Sequence, residues 1–283
     1  MKKILTFAFA ALALAACTKE QPQPAPTGEQ QVTIKFSPYE MSPMKTQSGV
    51  GTVCSRLDIY IIEQGTTDTL RWHQVRTSTT GFGTLTATLQ TNRTYRLMAV
   101  GHNTDDTVTF RGGIVSFADN KVKQTMVADT VFSPGDGLSL QVVMKRIVGM
   151  FKLRISDADA DFQGATHFRF VVNSSYNKWN LPMAQGVELS ERTHTINGMT
   201  RGTDGYVTYN VYIIPDDLTA VREVDITVTA LDASEGVVEA RAFEDVPIRA
   251  GYVTRYTGSF FVTWDMGFSF GVGDWGEQGD YTY

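Results

Sequence analysis

The stretch Glu223-Val224-Asp225-Ile226-Thr227-Val228-Thr229-Ala230 decides the fold class. Val224, Ile226, Val228 and Ala230 fall on one side of an extended chain, and Glu223, Asp225, Thr227 and Thr229 on the other. A strand sends successive side chains to opposite faces, so this alternation buries one face and wets the other. The β-branched residues add to the signal, because they pack well on a pleated surface. The same period recurs outward in both directions. Leu57, Ile59 and Ile61 are in phase, as are Leu85, Ala87 and Leu89, and then Tyr95, Leu97 and Ala99. In the second half His167-Phe168-Arg169-Phe170-Val171-Val172 alternates, and Val207, Tyr209, Val211 and Ile213 are in phase. Turn residues separate these runs at 81–83, 103–106, 133–137, 202–205 and 233–236. No window of ten or more residues carries a helical period, and 157–164 has room for one turn at most. The pattern predicts an all-β chain of sandwich type with antiparallel strands.

The chain has 283 residues, 42% of them hydrophobic and 19% charged, with a formal net charge of −5. That apolar fraction supports a packed core and excludes wholesale disorder. A mildly acidic chain without a basic block is a poor nucleic-acid binder, because phosphate affinity rests on clustered Lys and Arg. The length suits two ordinary sandwich domains. The join is expected near Met144-Lys145-Arg146, since 138–144 closes one run of strands and 147–155 opens another. The expected domains are 32–145 and 146–283.

Before residue 32 the chain reads differently. Lys2 and Lys3 precede an apolar run over 4–16, too short for the ~20 residues that a membrane-spanning helix needs. It reads as a secretory leader, residues 1–16, to be removed. Leu14-Ala15-Ala16-Cys17 closes it and resembles a lipobox, which implies acylation of Cys17. Several acyl chains on one residue hold a protein to a bilayer, whereas one alone is marginal. Residues 17–31 are rich in Pro and Gln and read as a disordered tether. The remaining cysteine, Cys54, sits in an apolar stretch and reads as a buried free thiol.

Catalytic motifs are missing. No two of His73, His102, His167 and His194 stand at a metal-binding spacing of i,i+2 or i,i+4. Residues 271–276 match G-x-G-x-x-G, but a dinucleotide site needs a βαβ unit around those glycines. Asp157, Asp159 and Asp161 begin like a calcium loop, yet Phe162 and Phe168 stand where the Gly and Glu belong. A solvated acidic turn is the simpler reading. Trp72, Trp179, Trp264 and Trp275 leave two readings open, a stacking platform for sugars or sandwich core. No cofactor and no metal are expected.

Several ordered stretches together resemble the fimbrillin superfamily of Bacteroidetes, the subunits and anchors of type V pili. These are the lipobox and tether, RLDIYIIE (56–63), NRTYRLMAVGHN (92–103), MKRIVGMFKLRI (144–155), VPIRAGYVTRYTGSFF (246–261) and a Trp-containing tail over 264–275. The resemblance spans nearly the whole length. It implies two tandem β-sandwich domains of transthyretin type, export to the outer surface as a lipoprotein, and no enzymatic activity. In subunits of that family a protease removes the first strand, and a strand of the next subunit fills the slot. On this chain the first strand would be 32–36, with Val32, Ile34 and Phe36 inward. Met266, Phe268, Phe270 and Val272 form the apolar face of a candidate donor strand, which could equally complete its own domain. Arg-specific cleavage lacks its residue here, because no Arg occurs from 17 to 55. Lys45, in the loop over 42–49, is the candidate processing site. An untrimmed, lipidated chain would favour an anchor or accessory subunit over a polymerising one.

The resulting expectation is a structural lipoprotein of the cell outer membrane, a fimbrial subunit or anchor supporting adhesion. Its expected partners are other fimbrial subunits, the membrane through its lipid, and host or bacterial surface ligands. The alternative is a surface glycan-binding lipoprotein.

Overall fold

The computed structural model describes residues 28–38, 49–103, 108–135, 137–157, 164–261 and 268–274. The first half forms β1 (Glu29–Pro38), β2 (Arg56–Glu63), β3 (Thr69–Val75), β4 (Thr84–Gln90), β5 (Tyr95–His102), β6 (Val108–Arg111), β7 (Ile114–Phe117), β8 (Thr125–Phe132) and β9 (Ser139–Arg146). The second half forms β10 (Gly149–Ile155), β11 (His167–Asn180), β12 (Gln185–Asn197), β13 (Val207–Ile213), β14 (Arg222–Leu231), β15 (Val237–Ile248), β16 (Tyr252–Gly258) and β17 (Ser269–Asp274). Two short 3-10 turns, Val50–Thr52 and Ala118–Asn120, are the helical elements named among the described residues. The chain is all-β and sandwich-like, as the alternation predicts.

The first half is one strand order, β3-β2-β5-β8-β9-β1-β4. It bends at β8 and β9, which share only the pairs Met126↔Arg146 and Val127↔Lys145. The two wings therefore face each other over one core. Val32, Ile34 and Phe36 meet Leu57, Ile59, Leu97, Leu85, Val142 and Met144 there. The second half sets β13-β10-β16-β17 against β15-β14-β11, with β12 paired to β11. Its core holds Phe151, Phe168, Phe170, Phe243, Phe260 and Phe261.

The halves repeat one another. With the β6–β7 hairpin set aside, the first half runs β4-β1-β9 against β3-β2-β5-β8, and the second runs β13-β10-β16 against β12-β11-β14-β15. The seven strands correspond one to one in chain order. Two parts break the repeat. One is β17, which pairs outside β16. The other is the β6–β7 hairpin, which leaves the first half and joins β11 through Lys178↔Ser116, Trp179↔Val115 and Asn180↔Ile114. A third apolar cluster forms where the hairpin crosses. Val115, Phe117, Val127, Ile147, Trp179 and Ile214 are buried in it.

The expectation of antiparallel pairing throughout is corrected at two places. β1 runs parallel to β9, and β10 runs parallel to β16. Side chains alternate identically in both kinds of ladder, so the period carries no information about strand direction.

Candidate functional site

The residues singled out for strand exchange lie at the two ends of the fold. Val32 and Ile34 are fully buried and Phe36 nearly so. Each such side chain contributes about 1.5–3 kcal/mol by leaving water. β1 is an inner strand, antiparallel to β4 from Glu29↔Gln90 to Lys35↔Thr84 and parallel to β9 from Thr33↔Ser139 to Pro38↔Met144. Taking it out would separate β4 from β9 and leave an apolar slot with two unpaired ladder edges.

The exit of β1 is fixed by the turn before β4. Phe36 donates its N–H to the Gly83 carbonyl at 2.8 Å. The Gln74 amide clamps the same turn, accepting from Gly83 N–H and donating to the Thr84 carbonyl, each at 2.9 Å. Gly83 has φ +85°, and a Cβ there would stand 2.6 Å from Val50 Cγ1. That is why the turn Gly81-Phe82-Gly83 ends in glycine. Cys54 lies behind it, buried, with its thiol donating to the Val50 carbonyl at 3.4 Å. Burial pushes this thiol up to about 12 against the lowering effect of Arg76, so it stays protonated and inert.

β17 is held differently. Among the described residues it pairs with β16 alone, from Tyr252↔Asp274 to Thr257↔Ser269. Phe270 packs on Tyr256 with ring centroids 5.1 Å apart, and Phe268 meets Phe243 edge-on at the same distance. Phe268, Phe270 and Val272 are only half-buried. Ser269, Gly271 and Gly273 turn a nearly bare backbone to the other side. Cys17, Lys45 and Met266 lie outside the described residues, as do Trp264 and Trp275. Trp179 is fully buried, which makes it core; Trp72 is half-buried against the first core. Asp157 has a structural task, since its two carboxylate oxygens accept from Phe260 N–H at 2.7 Å and Phe261 N–H at 2.8 Å.

One polar arrangement was not visible from spacing. Asp58, on β2, sits between His73 on β3 and His102 on β5. Its Oδ1 is 2.7 Å from His73 Nδ1, and its Oδ2 is 3.5 Å from His102 Nε2. Burial pushes this carboxyl up, but hydrogen bonds from His102 and His73 and their charges outweigh it, so the group titrates below the ordinary carboxylate range. His102 is 2% exposed, and both its ring nitrogens lie out of contact with water. Only the β3-β2-β5 register brings the three residues together, and 15 to 44 positions of sequence hide it. Among the described residues no group of three or more His, Cys, Asp or Glu is placed to hold a metal ion.

Known structures share this architecture. A candidate cell adhesion protein of Bacteroides ovatus aligns over 89% of this chain and 100% of its own, with TM-score 0.54 and 11% identity. A candidate adhesin of Bacteroides thetaiotaomicron aligns over 89% and 98%, again with TM-score 0.54 and 11% identity. A structure from the same species, described as candidate polysaccharide binding proteins, covers 86% and 97%, with TM-score 0.54 and 10% identity. At such identities the likeness speaks for the fold alone, the all-β, sandwich-like architecture described above. No family model matches the chain, and no curated protein does.

Proposed function

We propose that this chain is a cell-surface adhesion protein of fimbrial type, without catalysis of its own, that assembles by β-strand complementation. The observation that carries this reading is the place of β1, an inner strand whose three apolar side chains fill the first core. A strand so placed can be replaced only by another strand of the same pattern, and β17 offers Phe268, Phe270 and Val272 on an edge where they are half-buried. The fold shared with the Bacteroides adhesins supports the same reading. In this scheme Cys17 carries the lipid that anchors the chain to the outer membrane, 17–31 is the tether, Lys45 is the processing site, and the partners are other fimbrial subunits. The chain divides into domains 32–145 and 146–283, each with its own core.

The test is N-terminal sequencing and intact-mass measurement on protein taken from its own membranes, together with mass spectrometry of sheared surface pili. An acylated Cys17 and recovery of the chain from pili are expected. A start just after Lys45 would mean that β1 has been removed, and a start at Cys17 would mean an untrimmed anchor. A chain without acyl groups that is absent from pili would end the proposal. The second reading is a surface glycan binder, favoured by the fold shared with the candidate polysaccharide binding proteins of Bacteroides thetaiotaomicron. A glycan array run on the protein and on Trp72→Ala checks it.

A further inference from the structure

The ladder between β11 and β12 changes register at one point. Pairing runs from His167↔Asn197 to Val172↔Arg192 and resumes at Ser175↔Ser190, so Asn173 and Ser174 together stand opposite Glu191 alone. This is a β-bulge, which bends the strand and re-aims its side chains. Ser174 has φ +54°, in the left-handed region that a residue other than glycine enters at a cost. Arg222, on β14, holds it there. Its Nε and Nη2 donate to the Ser174 carbonyl at 3.0 and 2.6 Å, and its Nη1 donates to Asp216 Oδ1 at 2.6 Å. Its guanidinium lies 4.8 Å from the centre of the Tyr176 ring. The corresponding ladder of the first half, β2 with β3, keeps one register from Arg56↔Val75 to Ile62↔Thr69.

A cavity of about 330 Å³ opens at the bulge, lined by Asn173, Ser174, Leu189, Ser190 and Glu191. Ligand sites span ~300–1,000 Å³, so this one holds a single ring rather than a chain. Asn173, Ser174 and Glu191 are exposed, and among the described residues their side-chain groups have no hydrogen-bond or ion-pair partner. Leu189 is 54% exposed and adds an apolar wall. The lining thus combines an amide that donates and accepts, a hydroxyl, a carboxylate that only accepts, and an aliphatic surface. No Lys or Arg is among its residues. A local rule broken in one repeat and kept in the other, at a point where a cavity opens, marks the broken copy as a functional site.

We propose that this cavity binds one neutral sugar unit of a glycan. The inference rests on the second reading above, glycan binding, and is independent of strand complementation. A pyranose carries neighbouring hydroxyls on its rim and C–H groups on its faces. Its hydroxyls donate to the Glu191 carboxylate in charge-assisted hydrogen bonds and exchange hydrogen bonds with the Asn173 amide and the Ser174 hydroxyl. A C–H face covers Leu189 and takes that side chain out of water. The carboxylate selects against sugars with a negative charge of their own, since no cation lines the cavity to offset the repulsion. A calcium ion fits poorly, because it takes about 6–8 oxygen ligands. The Arg222 contacts hold the bulge in shape before the sugar arrives, and a preorganised site loses less entropy on binding.

The test is a glycan array followed by calorimetry of the full chain with the methyl glycosides of glucose, galactose, mannose and N-acetylglucosamine. Polygalacturonate and N-acetyl-lysine amide are the anionic and cationic controls. At least one neutral glycoside is expected to bind, and neither control. Asn173→Ala with Glu191→Ala, both at exposed positions, should lose about tenfold or more in affinity, while Trp72→Ala leaves it unchanged. A second readout needs no variant: the bound glycoside should protect Glu191 from carbodiimide labelling, measured by peptide mass spectrometry. Sugar binding that survives the double variant, that leaves Glu191 unprotected or that disappears in Trp72→Ala would overturn this site and keep the glycan reading. Absence of binding to every glycan on the array would overturn both. Binding of the lysine amide in place of sugars would overturn the proposal too, because the carboxylate would then serve a cation.

Discussion

The two halves of the chain carry the same seven strands in the same order, yet they are filled and finished differently. The first core is mainly aliphatic, with Val32, Ile34, Leu57, Ile59, Leu97 and Met144 at its centre. The second is mainly aromatic. Phe151 alone meets Phe170 at 6.5 Å, Phe243 at 5.4 Å and Tyr256 at 5.6 Å. The second half has an added edge strand, β17, while the first gives away a hairpin. A repeated scaffold thus tolerates two kinds of core filling and two different finishes at its edges.

The largest expected effect is in the aromatic core. Phe151→Ala should cost about 3–5 kcal/mol, and Ile34→Ala, at the centre of the other half, about 2–5 kcal/mol, both read by urea unfolding. Equal costs would mean that the two kinds of filling pack to the same quality. Val115 lies fully buried where the β6–β7 hairpin crosses. Val115→Asp places a charge in that cluster and should split one unfolding transition into two, because the halves then lose their shared core. A single transition in the variant would show that the hairpin does not couple them. Removing β17 by ending the chain after Phe261 strips the partly exposed Phe268 and Phe270 from Tyr256 and Phe243. A loss of about 1–3 kcal/mol is expected. Hydrogen exchange should quicken on β16 and stay unchanged on β9, which lies in the other half.

A smaller effect separates two histidines on corresponding strands. His73, on β3, is hydrogen-bonded to Asp58. His194, on β12, is pushed down to about 4 by burial and by the charges of Lys123, Arg192 and Lys121. In the unfolded chain a histidine takes its proton near pH 6.5. Between there and about pH 4 the unfolded state therefore binds a proton that the folded state refuses, and stability falls as pH falls. His194→Asn should flatten this part of the stability profile. Asp58 acts lower: its depressed pKa stabilises the fold above the unfolded carboxylate value, and that contribution disappears as pH falls through the folded value.

Strand positions were legible because burial is local in sequence. Arg56–Glu63 is β2 as the alternation marks it, and Val32, Ile34 and Phe36 face inward as expected. Strand direction was not legible, because Ile34 alternates in the same way beside parallel β9 as beside antiparallel β4. The repeat was hidden for a related reason. Topology is conserved between the halves while Ile34 and Leu57 on one side give way to Leu153 and Phe168 on the other, so pattern persists without residue identity. The Asp58 cluster depends on cross-strand register, which is set by turns and bulges across long separations. The terminal residues on which lipidation and processing rest are read from the sequence alone.

The position of β1 has a mechanical corollary. Its hydrogen bonds to β4 and β9 run across its axis on both flanks. Tension applied to the chain ahead of Gly28 pulls along that axis and loads both ladders together, in shear. Among the described residues β17 is bonded on one flank only, so a force pulling it across that single ladder can peel it away bond by bond. A cell held by this protein through its N-terminal side would hang from the stronger of the two attachments.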